Sequence, residues 1–142
     1  MLDIPFYKNS GDGMRCMQAC IGSVAEYFLG SKFSLDELDK LTGRKEGKWT
    51  YTVQGVMALH DLGLRVKYYS LHNPQKYLQG EKYIRKTFGK DGDRVLKFTD
   101  LPVTQKAIRE MLKDNLFELK GLSLGEIKKK MEVDGGGGDC FG

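Results

Sequence analysis

Helix-start chemistry recurs along this chain far more often than anything able to build a sheet, and that imbalance limits the folds open to it. Ser34-Leu-Asp-Glu37 is a capping box, with Phe33 and Leu38 at the flanking staple positions. Ser123-Leu-Gly-Glu126 repeats the logic, Asn73-Pro74 sets proline at a first helical position, and Asp100-Leu-Pro102 opens another helix. Met17, Ile21, Val24, Ala25 and Phe28 recur at the spacing of one buried face, which predicts a helix over about 15–29 closed by Gly30. Further helices are expected from Ser34 to Thr42-Gly43 and from Thr50 or Thr52 to Leu62, with Gly63 closing the latter. Others should cover 81–88, run from Asp100 to about Lys113, and run from Ser123 to Met131, with Gly89–Asp93 a turn. Against these stand two strand-like pieces, Leu64–Tyr68, which alternates apolar and charged residues, and Leu116–Leu119. Two strands make a marginal sheet in isolation. The expected class is therefore α+β, rich in helix, with an incomplete sheet.

A chain of 142 residues is read as one domain spanning 1–142. Seven Phe, seven Tyr and one Trp supply enough apolar surface to exclude a wholly disordered chain. No apolar run approaches the roughly 20 residues of a membrane-spanning helix. The start Met1-Leu-Asp-Ile-Pro-Phe6 lacks the regions of a secretory signal, so a cytoplasmic product is expected. The net charge of +4 is mild. Lys82, Arg85 and Lys86, and the run Lys128 to Lys130, read as solvated helix faces; no nucleic-acid motif accompanies them. An odd number of cysteines without a signal argues against a disulfide framework. Cys16 and Cys20 lack a second compact ligand pair, so neither a metal nor another cofactor is expected. Gly135 to Gly138 cost backbone entropy and offer no side chains to a core, and no Lys-Ser/Thr follows them as in a phosphate loop. Residues 134–142 are expected to be a flexible tail.

The most informative stretch is Asp12-Gly-Met-Arg-Cys16-Met-Gln-Ala-Cys20. It places Cys16 in the first turn of a helix, where unpaired N–H groups and the helix dipole favour a thiolate. A loop with two glycines precedes it and leaves room for a substrate backbone. At about 100° per residue, Cys16 falls beside Cys20 and Tyr27 at one edge of the apolar face. The competing reading of such a cysteine is an inert space-filler.

Ile4-Pro-Phe-Tyr-Lys-Asn9 followed by Cys16-Met-Gln-Ala-Cys20-Ile-Gly-Ser-Val-Ala-Glu-Tyr-Phe28 resembles the opening of the bacteriocin-processing cysteine peptidases and their papain-like relatives. The similarity continues through Ser34–Leu41, Thr50–Leu62 and Gly63–Tyr69, so residues 1–70 are covered well and 71–142 more loosely, as a helical insert. The resemblance implies a papain-like cysteine peptidase fold, a peptide or protein substrate, and thiolate attack on a peptide or amide carbonyl. By it Cys16 matches the nucleophile, Asn9 stands near the position of the amide that helps hold the oxyanion, and Cys20 matches a small structural position. Asn9 is shorter than the family's Gln, and Met17 replaces the usual Gly.

A thiol peptidase also needs a base, normally His, and a group to orient it. The chain has His60, on the face of the third helix shared with Val53, Val56 and Met57, and His72, in a loop before Asn73-Pro74. His60 reads as a packed or hydrogen-bonded helix residue and His72 as a surface residue. In the resembled family the catalytic His lies downstream, in sheet-forming sequence. The chain is accordingly expected to hold the cysteine-bearing half, through truncation, frame error or degeneration, and to be hydrolytically weak or inert. The alternative is a binding module of the same fold that recognises a peptide without cutting it.

Overall fold

The computed structural model describes residues 3–134; Cys140 and the glycine-rich run lie outside them. After an extended entry segment come α1 (Cys16–Leu29), α2 (Leu35–Thr42) and α3 (Thr52–Asp61), then β1 (Tyr68–Ser70). A 3-10 turn over Pro74–Gln79 leads into α4 (Glu81–Phe88), α5 (Gly92–Phe98) and α6 (Leu101–Lys113), followed by β2 (Phe117–Leu119) and α7 (Leu124–Asp134). The two strands pair in parallel with Tyr68 opposite Phe117 and Ser70 opposite Leu119. The described residues thus form a helix-rich mixed structure with a two-stranded sheet, α+β in the coarse sense.

Most helix boundaries follow the local chemistry. Ser34 Oγ accepts the Glu37 N–H at 3.1 Å while the Glu37 carboxylate accepts the Ser34 N–H, so the capping box is formed. Gly30 and Gly43 close α1 and α2 with φ of +73° and +72°, a left-handed conformation that glycine adopts without Cβ strain. Asn73 Oδ1 accepts from the Gln75 N–H ahead of Pro74, and Ser123 Oγ from the Glu126 N–H at the start of α7.

Three expectations are corrected. The cap of α3 is neither Thr50 nor Thr52: the N-cap is Tyr51, whose N–H is taken by Gln54 Oε1 at 3.0 Å. The strand expected over Leu64–Tyr68 pairs only from Tyr68 onward; Leu64 and Val66 are buried as their alternation implies, but among the described residues no partner strand lies opposite them. The turn expected over Gly89–Asp93 is a short 3-10 turn running into α5. Its two glycines suggest a turn locally. Packing of α5 on α4, with Ile84 and Val95 buried, overrides that weak preference.

The core lies where α1, α2, α3 and α6 meet, with Ile21, Leu38, Ile108 and Met111 essentially inaccessible. Each such side chain contributes about 1.5–3 kcal/mol on burial. Gly22 faces Tyr7: a Cβ there would sit 2.5 Å from the tyrosine ring, so glycine lets the entry segment lie against α1. The Tyr7 hydroxyl accepts the Phe33 N–H and holds that segment to the start of α2.

A polar network runs through this apolar centre. Gln18 of α1 donates to Thr42 Oγ1 at 3.0 Å and to Thr50 Oγ1 at 2.7 Å. Gln54 of α3 donates to the Thr42 carbonyl at 3.1 Å, while its Oε1 accepts from the Tyr51 N–H and from Thr104 of α6. Every polar atom of the Gln54 amide is thereby engaged on its acceptor and donor sides, whereas Gln18 Oε1 is buried with no partner among the described residues. The two amides should therefore respond differently to replacement. Gln54→Leu strands the Thr42 carbonyl and the Thr104 hydroxyl and is expected to cost about 3 kcal/mol, whereas Gln18→Leu also removes an unmet acceptor and should cost about 1 kcal/mol. Urea unfolding of the two variants checks the order.

Candidate functional site

The loop before α1 is tied by its own polar side chains. Asn9 Oδ1 accepts from the N–H groups of Ser10 at 2.7 Å and Arg15 at 2.9 Å. Asp12 Oδ1 accepts from Ser10 Oγ at 2.6 Å and from the Met14 N–H at 3.0 Å. The Ser10 hydroxyl, then the Met14 N–H, hold the Asp12 carboxyl below its ordinary value. That contribution to loop order is present above the ordinary carboxyl range and is lost as pH falls through the lowered value. Gly13, with φ of +73°, turns the chain into the helix.

Arg15 is the N-cap of α1 and supplies no side-chain cap to the first turn. Its guanidinium instead reaches α2, lying 2.7 Å from Asp39 and 3.1 Å from Asp36, and Arg44 joins Asp39 at 3.2 Å. The hydrogen bond that the Arg15 guanidinium donates to the Asp39 carboxylate holds that guanidinium above its usual value. The cation next in sequence to Cys16 is thus committed to α2 rather than to the thiol.

Cys16 and Cys20 are both free and both exposed, one helical turn apart on α1. Met17, between them in sequence, packs inward, since a Cβ on Gly55 of α3 would meet its sulfur at 2.7 Å. The thiol of Cys16 therefore stands at the start of a helix whose other face is locked into the core. Asn9 is brought to the same end of α1 through its bond to Arg15, and its amide nitrogen makes no hydrogen bond among the described residues.

The histidines lie elsewhere. His60 Nε2 is 3.5 Å from Asp114 Oδ2, at the ends of α3 and α6. His72 is exposed and follows β1, its N–H donating to Ser70 Oγ. No hydrogen bond or ion pair joins either to Cys16. Among the described residues, no three His, Cys, Asp or Glu side chains gather as a metal site, and no helix is long and apolar enough to cross a membrane.

A second feature leaves no mark in the sequence. A groove of about 790 Å³ opens between β1, the start of α3, the Pro74–Gln79 turn and α4. Tyr51 and Tyr77 meet edge to face with centroids 5.5 Å apart, and Tyr77 meets Tyr83 in the same way at 5.2 Å. Burial, reinforced by the neighbouring tyrosines, pushes the Tyr77 phenol up to about 12. Burial also raises Tyr51, against a hydrogen bond of its hydroxyl with Thr99 Oγ1 at 2.6 Å. These tyrosines come from separate elements, so no spacing in the sequence marks them as neighbours. Thr50 links the two features: it accepts from Gln18 in the first turns of α1 and also lines the groove.

Compared with protein-family models, curated proteins and solved structures, the chain matches none of them.

The part Asn9 plays at the start of α1 can be tested directly. Asn9→Ala removes the acceptor for the Arg15 N–H and should cost about 1 kcal/mol, as loss of a helix cap does. Asn9→Asp keeps the acceptor and should retain most of that stability. Thermal unfolding of both variants at neutral pH makes the comparison.

Proposed function

We propose that the chain is a cysteine peptidase-like domain of papain-like fold in which Cys16 is the reactive thiol, and that hydrolysis of peptides by it is weak or absent. The observation that carries the reading is the placement of Cys16: an exposed thiol in an uncapped first turn, on a helix anchored by Met17, Ile21 and Ala25. An accessible sulfur at a helix start is the setting in which thiols act as nucleophiles. The cysteine, the nearby Asn9 and the order of helices that follow agree with the resemblance in the first 70 residues.

The expected weakness follows from proton bookkeeping. Attack of the sulfur on a peptide carbonyl gives a tetrahedral adduct, which collapses to a thioester only if the departing amine gains a proton. A paired imidazolium normally supplies it. Here His60 is engaged with Asp114, and His72 stands at the groove, neither of them bonded to Cys16. The same observation favours the second reading, a module that holds a peptide without cutting it.

An activated ester separates thiol reactivity from proton delivery, because a nitrophenolate leaves without needing a proton. Cys16 should be acylated by a p-nitrophenyl ester in a single-turnover burst that Cys16→Ala removes, with the acyl group mapped to residue 16 by mass spectrometry. Fluorogenic peptide amides should be cleaved no faster by the parent chain than by Cys16→Ala. Efficient amide turnover that depends on Cys16 would refute the proposed weakness, and failure of the folded chain to acylate at Cys16 would refute the reactive thiol.

A further inference from the structure

We propose that the tyrosine-lined groove is a binding site for a small aromatic anion, a planar ring system carrying a phosphate or carboxylate group. The proposal is independent of Cys16, which does not line the groove.

Size comes first. At about 790 Å³ the groove lies within the range of small-molecule sites, roughly 300–1,000 Å³. It has room for a ring system with a substituent, far more than a lone ion requires. Its walls are aromatic: Tyr51, Tyr77 and Tyr83 form the edge-to-face series, and Tyr68 stands on β1, itself edge to face with Phe117. All four tyrosines are half-buried, which leaves ring surface open to a planar partner.

Charge then selects the sign of the ligand. Among the described residues no Asp or Glu lines the groove, whereas Lys76 and His72 do. Lys76 forms no ion pair among the described residues. Aromatic walls alone would equally suit an organic cation held over ring faces. A lysine with no opposing carboxylate disfavours that occupant and favours an anion.

Polar groups remain for orientation. The hydroxyls of Thr52, Thr87, Tyr77 and Tyr83 make no hydrogen bonds among the described residues, in contrast to those of Tyr51 and Thr50. Tyr77, its phenol raised to about 12, stays protonated at neutral pH and can donate to an anionic oxygen.

Isothermal titration of the full chain at low salt tests the proposal with six probes: adenosine 5′-monophosphate, N-acetyl-tryptophan, adenosine, inorganic phosphate, tetramethylammonium and an uncharged extended peptide. At least one of the two aromatic anions should bind with one-to-one stoichiometry, and which one does so identifies phosphate or carboxylate as the preferred group. Adenosine should bind about fivefold or more weakly than an anion that binds, and inorganic phosphate alone should give no measurable heat. Lys76→Glu should weaken that binding about tenfold or more, whereas Lys106→Glu, the same charge change at an exposed site on α6, should leave it unaltered. Lys76 is exposed, so folding of its variant is expected to persist and is confirmed by circular dichroism. The proposal fails if neither aromatic anion saturates below about 10 mM, if Lys76→Glu has no more effect than Lys106→Glu, or if tetramethylammonium or an uncharged extended peptide binds where the anions do not.

Discussion

Two buried glutamines hold the helices of this protein in register. Gln18 and Gln54 sit at the centre of the α1, α2, α3 and α6 cluster, and their amides reach Thr42, Thr50 and Thr104 on neighbouring segments. Apolar contact between helices is tolerant of small slips, because one aliphatic surface packs acceptably on another in several ways. A buried amide is not tolerant: each donor or acceptor displaced from its partner loses its hydrogen bond without regaining water. With α2 only eight residues long and α3 only ten, neither helix is stable by itself, and the network specifies where each must end and begin. Thr42 closes α2 through its hydroxyl on the Leu38 carbonyl while receiving both glutamines, so one residue joins three helices.

That registry has chemical consequences at both ends of the network. Gln18 lies two positions after Cys16, and its burial turns the first helical turn so that Met17 packs on Gly55 while Cys16 and Cys20 remain outside. Gln54 secures the N-terminus of α3, which sets Thr50, Tyr51 and Thr52 along the rim of the aromatic groove. The thiol and the groove are thus separate features joined by a common scaffold. The small parallel sheet contributes the opposite wall of the groove through Tyr68, Ser70 and Leu119, and leaves Leu71 and Leu119 largely exposed.

Local chemistry was readable wherever one residue acts on its near neighbours in sequence. The capping box of α2, the glycine closures of α1 and α2 and the Asn73 and Ser123 caps all depend on contacts within a few positions. So did the buried face of α1 and the exposed start at Cys16, because helical geometry alone maps sequence onto a face. Local chemistry is overridden where the deciding partner is distant. Thr50 and Thr52 are good caps by type, yet Thr50 is drawn to Gln18, 32 residues away, and Tyr51 takes the capping position. Gly89 and Gly92 imply a turn, yet α5 forms because α4 offers it a surface.

What the sequence determined by itself is the class of structure and the setting of one atom: a helix-rich α+β chain with a thiol in the first turn of an amphipathic helix. These follow from backbone hydrogen-bond geometry and periodicity, which act over one or two turns. Only the tertiary structure decided that Arg15 turns to Asp39, that His60 pairs with Asp114, and that tyrosines from three segments converge on one groove. Those outcomes depend on how separate elements dock, which is governed by buried area and by satisfaction of buried polar groups across the whole core.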